Sequence, residues 1–167
     1  MKPKAYCIPK ASITAYPALD EAGADAATRA VLQGDFTLNG TDVFNTIDLL
    51  YEKCSGPSAE PQGRPENASV LNKATLVTAV TEEEAVDFQR QAVRDDMLWI
   101  IPLKTGKFVV LGNEDFKTIT KVTINNGSDV SSDDKEMTIE IEVTDIALPF
   151  YNGSIMTADG DQNAPFV

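Results

Sequence analysis

The chain has 167 residues and a mass of 18.1 kDa, the size of one ordinary domain with a core of its own. Its 26 acidic and 14 basic side chains leave a formal charge of −12, which repels nucleic acid and anionic membranes and argues against a conventional role at either. There is no histidine, so the commonest general base near neutral pH and the commonest metal ligand are missing, and no stretch approaches the roughly 20 apolar residues of a membrane span.

The opening MKPKAYCIPK is basic with no apolar run behind it, unlike a secretory leader, so the expected place of synthesis is the cytoplasm. Cys7 and Cys54 form neither a CxxC nor a zinc pattern and read as two separate thiols ahead of a disulfide. Tyr6 to Tyr16 predicts a strand near a sheet edge, because Pro9 cannot donate to a ladder. Residues 17–26 read as a small-residue, acidic linker. Residues 27–40, ATRAVLQGDFTLNG, read as an extended segment ending in a turn at Asn39-Gly40, with a short helix from Ala26 to Leu32 as the competing reading. In DVFNTIDLLYEKC the helical and strand periods overlap, and strand is preferred.

SGPSAEPQGRPEN, residues 55–67, holds three prolines, two glycines and no large apolar side chain, so a long exposed loop is expected. Residues 69–80 return to strand-type residues. Thr81 and Glu84 then form a capping box, opening a helix over about 82–95 with Ala85, Phe88 and Ala92 on one face and Val93 beside them. MLWIIPL is a continuous apolar run, expected as a buried strand, and KTG turns it into its hairpin partner KFVVLG. In DFKTITKVTI, Phe116, Thr118, Thr120, Val122 and Ile124 share one face. NNGSDVSSDDKE is a polar loop.

EMTIEIEVTDIALPFYNG, residues 136–153, alternates and then stops alternating. Met137, Ile139, Ile141 and Val143 are assigned inward, Thr138, Glu140, Glu142 and Thr144 outward, as in an antiparallel sheet wet on one side. Pro149 ends the ladder, and Phe150 and Tyr151 follow. They either touch a neighbouring molecule or plug the domain's own open end. The expected fold is mainly β (α+β): an antiparallel β-sandwich or partly open barrel with one flanking α-helix. Residues 1–153 form the single domain and 154–167 a flexible polar tail.

No nucleophile elbow, phosphate loop or dinucleotide fingerprint occurs. Glu140 and Glu142 share a face and would be the carboxylate pair of a hydrolase, yet outward alternation denies them the burial that perturbs a catalytic carboxylate. Asp159, Asp161 and Asn163 resemble the start of a calcium loop, but Ala164 stands where its glycine belongs. Asp129, Asp133 and Asp134 form a second acidic loop that reads as hydrated. No cofactor is expected, and the chain reads as no enzyme.

DDMLWIIPLKTGKFVVLGNEDF, a glycine- and aspartate-rich loop, and MTIEIEVTDIALPFYNG together resemble small virion proteins encoded in prophages of Bacteroides-type gut bacteria. The residues that carry the resemblance are Gly106, Lys107, Leu111, Gly112, Pro149, Phe150 and Tyr151, within 96–153. It implies a structural protein of the tail or its connector, of tail-tube type: a β-sandwich or barrel with a flanking helix, self-assembling through sheet edges and loops. Its partners would be copies of itself or other virion proteins, its destination the virion, with no specific nucleic-acid or membrane binding. Glu140, Glu142, Pro149, Phe150 and Tyr151 are then the interaction candidates. The alternative is a monomeric β-sandwich module for carbohydrate or protein, calcium-dependent in one version, stacking its ligand on Tyr151, Phe150 or Tyr16.

Overall fold

The core strands are of two kinds, those apolar on both faces and those apolar on one, and the fold follows from where each can be buried. The computed structural model describes residues 4–20, 22–50, 53–62, 69–79, 83–125, 136–158 and 160–161. Fifteen strands and two α-helices follow in chain order: β1 (Lys4–Pro9), β2 (Ile13–Ala15), β3 (Ala18–Leu19), α1 (Ala26–Arg29), β4 (Val31–Gln33), β5 (Thr37–Leu38), β6 (Asn45–Asp48), β7 (Ser55–Gln62), β8 (Ser69–Thr78), α2 (Glu83–Arg94), β9 (Met97–Pro102), β10 (Phe108–Leu111), β11 (Ile119–Asn125), β12 (Glu136–Asp145), β13 (Phe150–Tyr151), β14 (Met156–Thr157) and β15 (Gly160–Asp161). A seven-stranded sheet in the order β3-β4-β13-β10-β9-β1-β6 faces a four-stranded antiparallel sheet, β11-β12-β8-β7. Two short ribbons, β2-β5 and β14-β15, complete the β structure. The fold is mainly β with one substantial helix, as the alternation predicts.

The main core lies between the sheets. Trp99, Ile101, Val109 and Leu111 of the larger sheet meet Leu76, Met137, Ile139 and Ile141 of the smaller one. Each such buried side chain contributes about 1.5–3 kcal/mol relative to exposure. The inward set of β12 is the one read from its alternation, and its pairing with β8 runs from Met137↔Thr78 to Asp145↔Val70. β9 has no polar face because it is covered twice. Its even-numbered residues Leu98 and Ile100 point to a second cluster with Tyr6, Ile8, Val110 and Tyr151, roofed by Ile13, Phe36 and Phe44. That roof is the β2-β5 ribbon and the chain around it. The turn between β9 and β10 closes with Gly106 at φ +86, a conformation that glycine adopts without strain.

α2 buries Ala85 and Ala92 and packs Phe88 edge-on against Trp99, with ring centroids 6.0 Å apart. Val93, expected beside that face, is 74% exposed instead. Of the expected capping box, Thr81 lies outside the described residues and Glu84 stands in the first turn of α2. Around residue 30 both readings hold in part: Asp25 caps α1 by accepting from the Thr28 amide at 2.9 Å, and the extended β4 follows.

Three expectations are corrected. Residues 55–62 are not loop but the strand β7, antiparallel to β8; an edge strand with both faces in water needs no apolar side chain, so its composition mimics a loop. Residues 63–67 lie outside the described residues. β1 lies near the sheet edge as expected, between β9 and the edge strand β6, and Pro9 is tolerated because β6 pairs only as far as Cys7. Residues 154–161 are no separate tail, since Ile155 is fully buried in the second cluster and β14 pairs with β15. Phe116 turns outward, 51% exposed, because its segment precedes β11 and does not share that strand's period.

Candidate interaction surface

A two-sheet sandwich has four edge strands, and each is a potential docking line because its outer backbone groups lack partners. In the smaller sheet, β7 carries Pro57 and Pro61, which have no N–H to offer. At the opposite edge α2 lies against β11, and the Gln89 Nε2 donates to the Val122 carbonyl at 2.9 Å. In the larger sheet β3 is only two residues long. β6 is the exception. It is four residues, Asn45–Asp48, bonded on one side to β1. It is held taut at both ends: the Phe44 amide donates to the Met156 carbonyl and the Leu50 amide to the Val77 carbonyl, each at 2.8 Å.

Beside β6 runs an open groove of about 460 Å³. Ile47, Ala85, Phe88 and Met137 give it apolar surface, and Asp48, Glu84 and Asp87 line it with negative charge. Among the described residues no lysine or arginine lines it. The acids at Glu83 and Glu84 also occupy the first turn of α2, where they complement the helix dipole. None of the groove residues was named from the sequence as an interaction candidate. They come from 45–48, 78, 84–91 and 137, and only the pairing of distant strands brings them together.

The interaction candidates read from the sequence divide differently. Glu140 and Glu142 are exposed on the outer face of the smaller sheet, as expected. That face is not an acidic wall, however. Glu140 stands opposite Lys121 of β11, Glu142 opposite Lys73 of β8, and Lys73 also reaches Glu60 of β7 at 3.7 Å. Neighbouring strands supply the counter-charges that one strand's sequence does not display.

Pro149, Phe150 and Tyr151 turn inward. After Asp145 the chain leaves the smaller sheet and enters the larger one, where β13 pairs antiparallel with β10 and parallel with β4. Asn72 and Asn113 pin this crossover by donating to the carbonyls of Ala147 and Thr144 at 3.0 and 2.7 Å. Pro149 is buried. Phe150 is half-buried, with the Lys107 ammonium 5.5 Å from its ring centre. Tyr151 is fully buried, donates its hydroxyl to the Ser154 carbonyl at 2.7 Å, and lies 5.1 Å from the ring of Phe36. It therefore offers no stacking platform. Tyr16 is half-buried and packs edge-on against Phe36. Gly153 follows because a Cβ there would come within 2.6 Å of the Tyr151 hydroxyl.

At one end of the sandwich Lys10 ties three segments. Its Nζ donates to Asp96 at 3.1 Å and to the Phe116 carbonyl at 2.8 Å, while Asp96 accepts from the Thr118 amide at 2.9 Å. Asp145 nearby is held above the usual carboxylate range by burial, opposed by hydrogen bonds from the Ile146 amide and Asn113. Neither cysteine is in a disulfide: Cys7 is buried in the core and Cys54 half-buried. Among the described residues no three His, Cys, Asp or Glu side chains gather as a metal site, and no helix is long and apolar enough to cross a membrane. The acidic loop 129–134 and most of 159–163 lie outside the described residues. Comparisons with protein-family models, with curated proteins and with solved structures give no match for this chain.

Proposed function

We propose that this chain is a non-enzymatic structural subunit of a phage-like tail or connector, assembling with copies of itself or with other virion proteins. The observation that carries the reading is the treatment of the sheet edges. β3 is cut short, β7 is blunted by prolines and β11 is covered by a helix, while β6 stays open beside a groove. A monomer under no demand to associate has reason to protect all four. The resemblance of residues 96–153 to prophage virion proteins points the same way. The charge of −12 suits a particle component that must not adhere to nucleic acid, although the lysines beside Glu140 and Glu142 mean that the outer face of β12 is not where that charge concentrates.

The binding-module alternative loses Tyr151, one of its three stacking candidates, to burial, while Phe150 and Tyr16 are half-buried. Sedimentation velocity over rising concentration, with electron microscopy of the concentrated sample, tests the proposal. Association into rings, tubes or regular oligomers is the expected result. A chain that stays monomeric up to about millimolar concentration would overturn it.

A further inference from the structure

α2 carries an acidic flank beside its buried stripe and, further round the helix, an exposed face that holds two valines and two arginines. At 100° per residue, Ala85, Phe88 and Ala92 form the stripe that packs on the sheets. Glu84, Asp87 and Gln91 fall on one flank and line the groove beside β6. Val86, Arg90 and Val93 fall on the side away from that stripe, and Arg94 and the exposed Glu83 lie between Arg90 and Asp87. Val86 is 49% and Val93 74% exposed, and both arginines are exposed. Among the described residues neither arginine is in an ion pair. Two of the four arginines in a chain of net charge −12 thus sit together around exposed valines.

Resting on the assembly reading above, we infer that the Val86–Arg90–Val93–Arg94 flank of α2 in one copy docks into the acidic groove between β6 and α2 of the next. Charge decides the occupant. The groove presents Asp48, Glu84 and Asp87 over apolar surface from Ile47 and Phe88, and the face further round the helix presents arginines around exposed valines. Each surface is the other's complement and neither is its own, since two grooves repel and two arginine flanks repel. Such a contact is head-to-tail, not two-fold. Because Val86 and Val93 lie about 140–180° round the helix from Glu84 and Gln91, every copy keeps one surface free after binding through the other. Addition therefore continues until a ring closes or a filament grows.

Charge reversal separates this interface from the broader reading. Arg90→Glu with Arg94→Glu makes both surfaces acidic; Glu84→Lys with Asp87→Lys makes both basic. Each double variant alone is expected to associate at least about a hundredfold more weakly than the wild type, as when paired charges are made alike. Mixed in equal amounts, the two variants regain association, because each surface again meets its opposite. Melting curves check that both are folded, and Val93→Ser, at a position already in water, should weaken association without any change of charge. If the wild type is monomeric at every concentration, the assembly reading fails and this interface with it. If the wild type associates and the variants associate equally well, assembly stands and this interface is wrong. Weak variants that are not rescued by mixing also overturn it.

Discussion

Gln89 donates from its side-chain nitrogen to the main-chain carbonyl of Val122 at 2.9 Å, so a helix residue takes an acceptor on what would otherwise be an open strand edge. Replacing it by leucine removes that bond and uncovers β11. Gln89→Leu is expected to cost about 0.5–1.5 kcal/mol, the net worth of one hydrogen bond. It should also add a second, unspecific route of self-association. Urea denaturation reads the first effect and light scattering the second. A variant as stable and as well dispersed as the wild type would show that α2 does not guard this edge.

The register of β12 makes a sharp contrast between neighbours. Ile139 is fully buried and Glu140 is exposed. Ile139→Ala should cost about 2–5 kcal/mol through lost burial and the cavity left behind. Glu140→Ala should stay within about 0.5 kcal/mol. Denaturation midpoints of the two variants compare them directly. Similar losses would mean that the strand sits one residue out of this register, which would exchange its two faces.

That register was legible because it is local: a period of two over ten residues shows which side chains are wet. α2 was legible for the same reason, through its apolar spacing and its acidic first turn. The β9–β10 hairpin announced itself as two apolar runs around KTG. What stayed hidden is non-local. β7 looks like a loop because its order comes from hydrogen bonds to β8 and from no side chain of its own. The aromatic end of residues 136–153 could be read as a contact or as a plug because its period breaks there. The break is the crossing from one sheet to the other, and the roof over Tyr151 comes from residues 13–44, more than a hundred positions away. Nor does the −12 say where it concentrates. Lys73 and Lys121 offset Glu142 and Glu140, while Asp48, Glu84 and Asp87 gather only once β6 lies beside α2.

Tyr151 gives a test of that crossing. Its hydroxyl donates to the Ser154 carbonyl at 2.7 Å and accepts from the Phe36 amide at 3.4 Å, inside a cluster shut off from water. Tyr151→Phe keeps the ring and removes both bonds, so a loss of about 1–3 kcal/mol is expected. Denaturation of the variant measures it. An unchanged midpoint would place the hydroxyl in solvent and return Tyr151 to the surface candidates.

Asp145 supplies a pH dependence whose sign follows from its burial. Folding raises its pKa above the ordinary 3.8, so the folded chain keeps this proton to higher pH than the unfolded chain does. The corresponding stability is fully present below about pH 3.8 and is lost as pH rises through the folded value. At neutral pH the ionised Asp145 therefore opposes folding. Asp145→Asn retains an oxygen to accept from the Ile146 amide and removes the charge. The variant should melt higher than the wild type at pH 7, with the gain vanishing near pH 3. A variant that melts lower at pH 7 would show that the carboxylate's hydrogen bonds outweigh its desolvation.

The two thiols should differ in reactivity by much more than their chemistry alone. Cys7 lies between β6 and β9 with no exposed surface, and burial pushes its pKa up to about 12. Thiolate is the reactive form, so Cys7 is protected twice, by access and by charge. Cys54 is half-buried; its sulfur accepts from the Val77 amide at 3.4 Å, and burial raises its pKa as well. With a thiol reagent at neutral pH, the native chain should label first at Cys54, and slowly. Cys7 should label only at the rate of opening of the sandwich, and both together in denaturant. Cys7→Ser makes this quantitative: the fast phase survives and the slow one disappears. The hydroxyl, set in a core with Trp99 and Leu111, should also cost about 1–3 kcal/mol if it finds no partner. Rapid labelling of Cys7 in the native chain would mean that the edge formed by β6 opens without global unfolding. β6 would then be a strand that moves, and the groove beside it would be a transient surface and not a standing one.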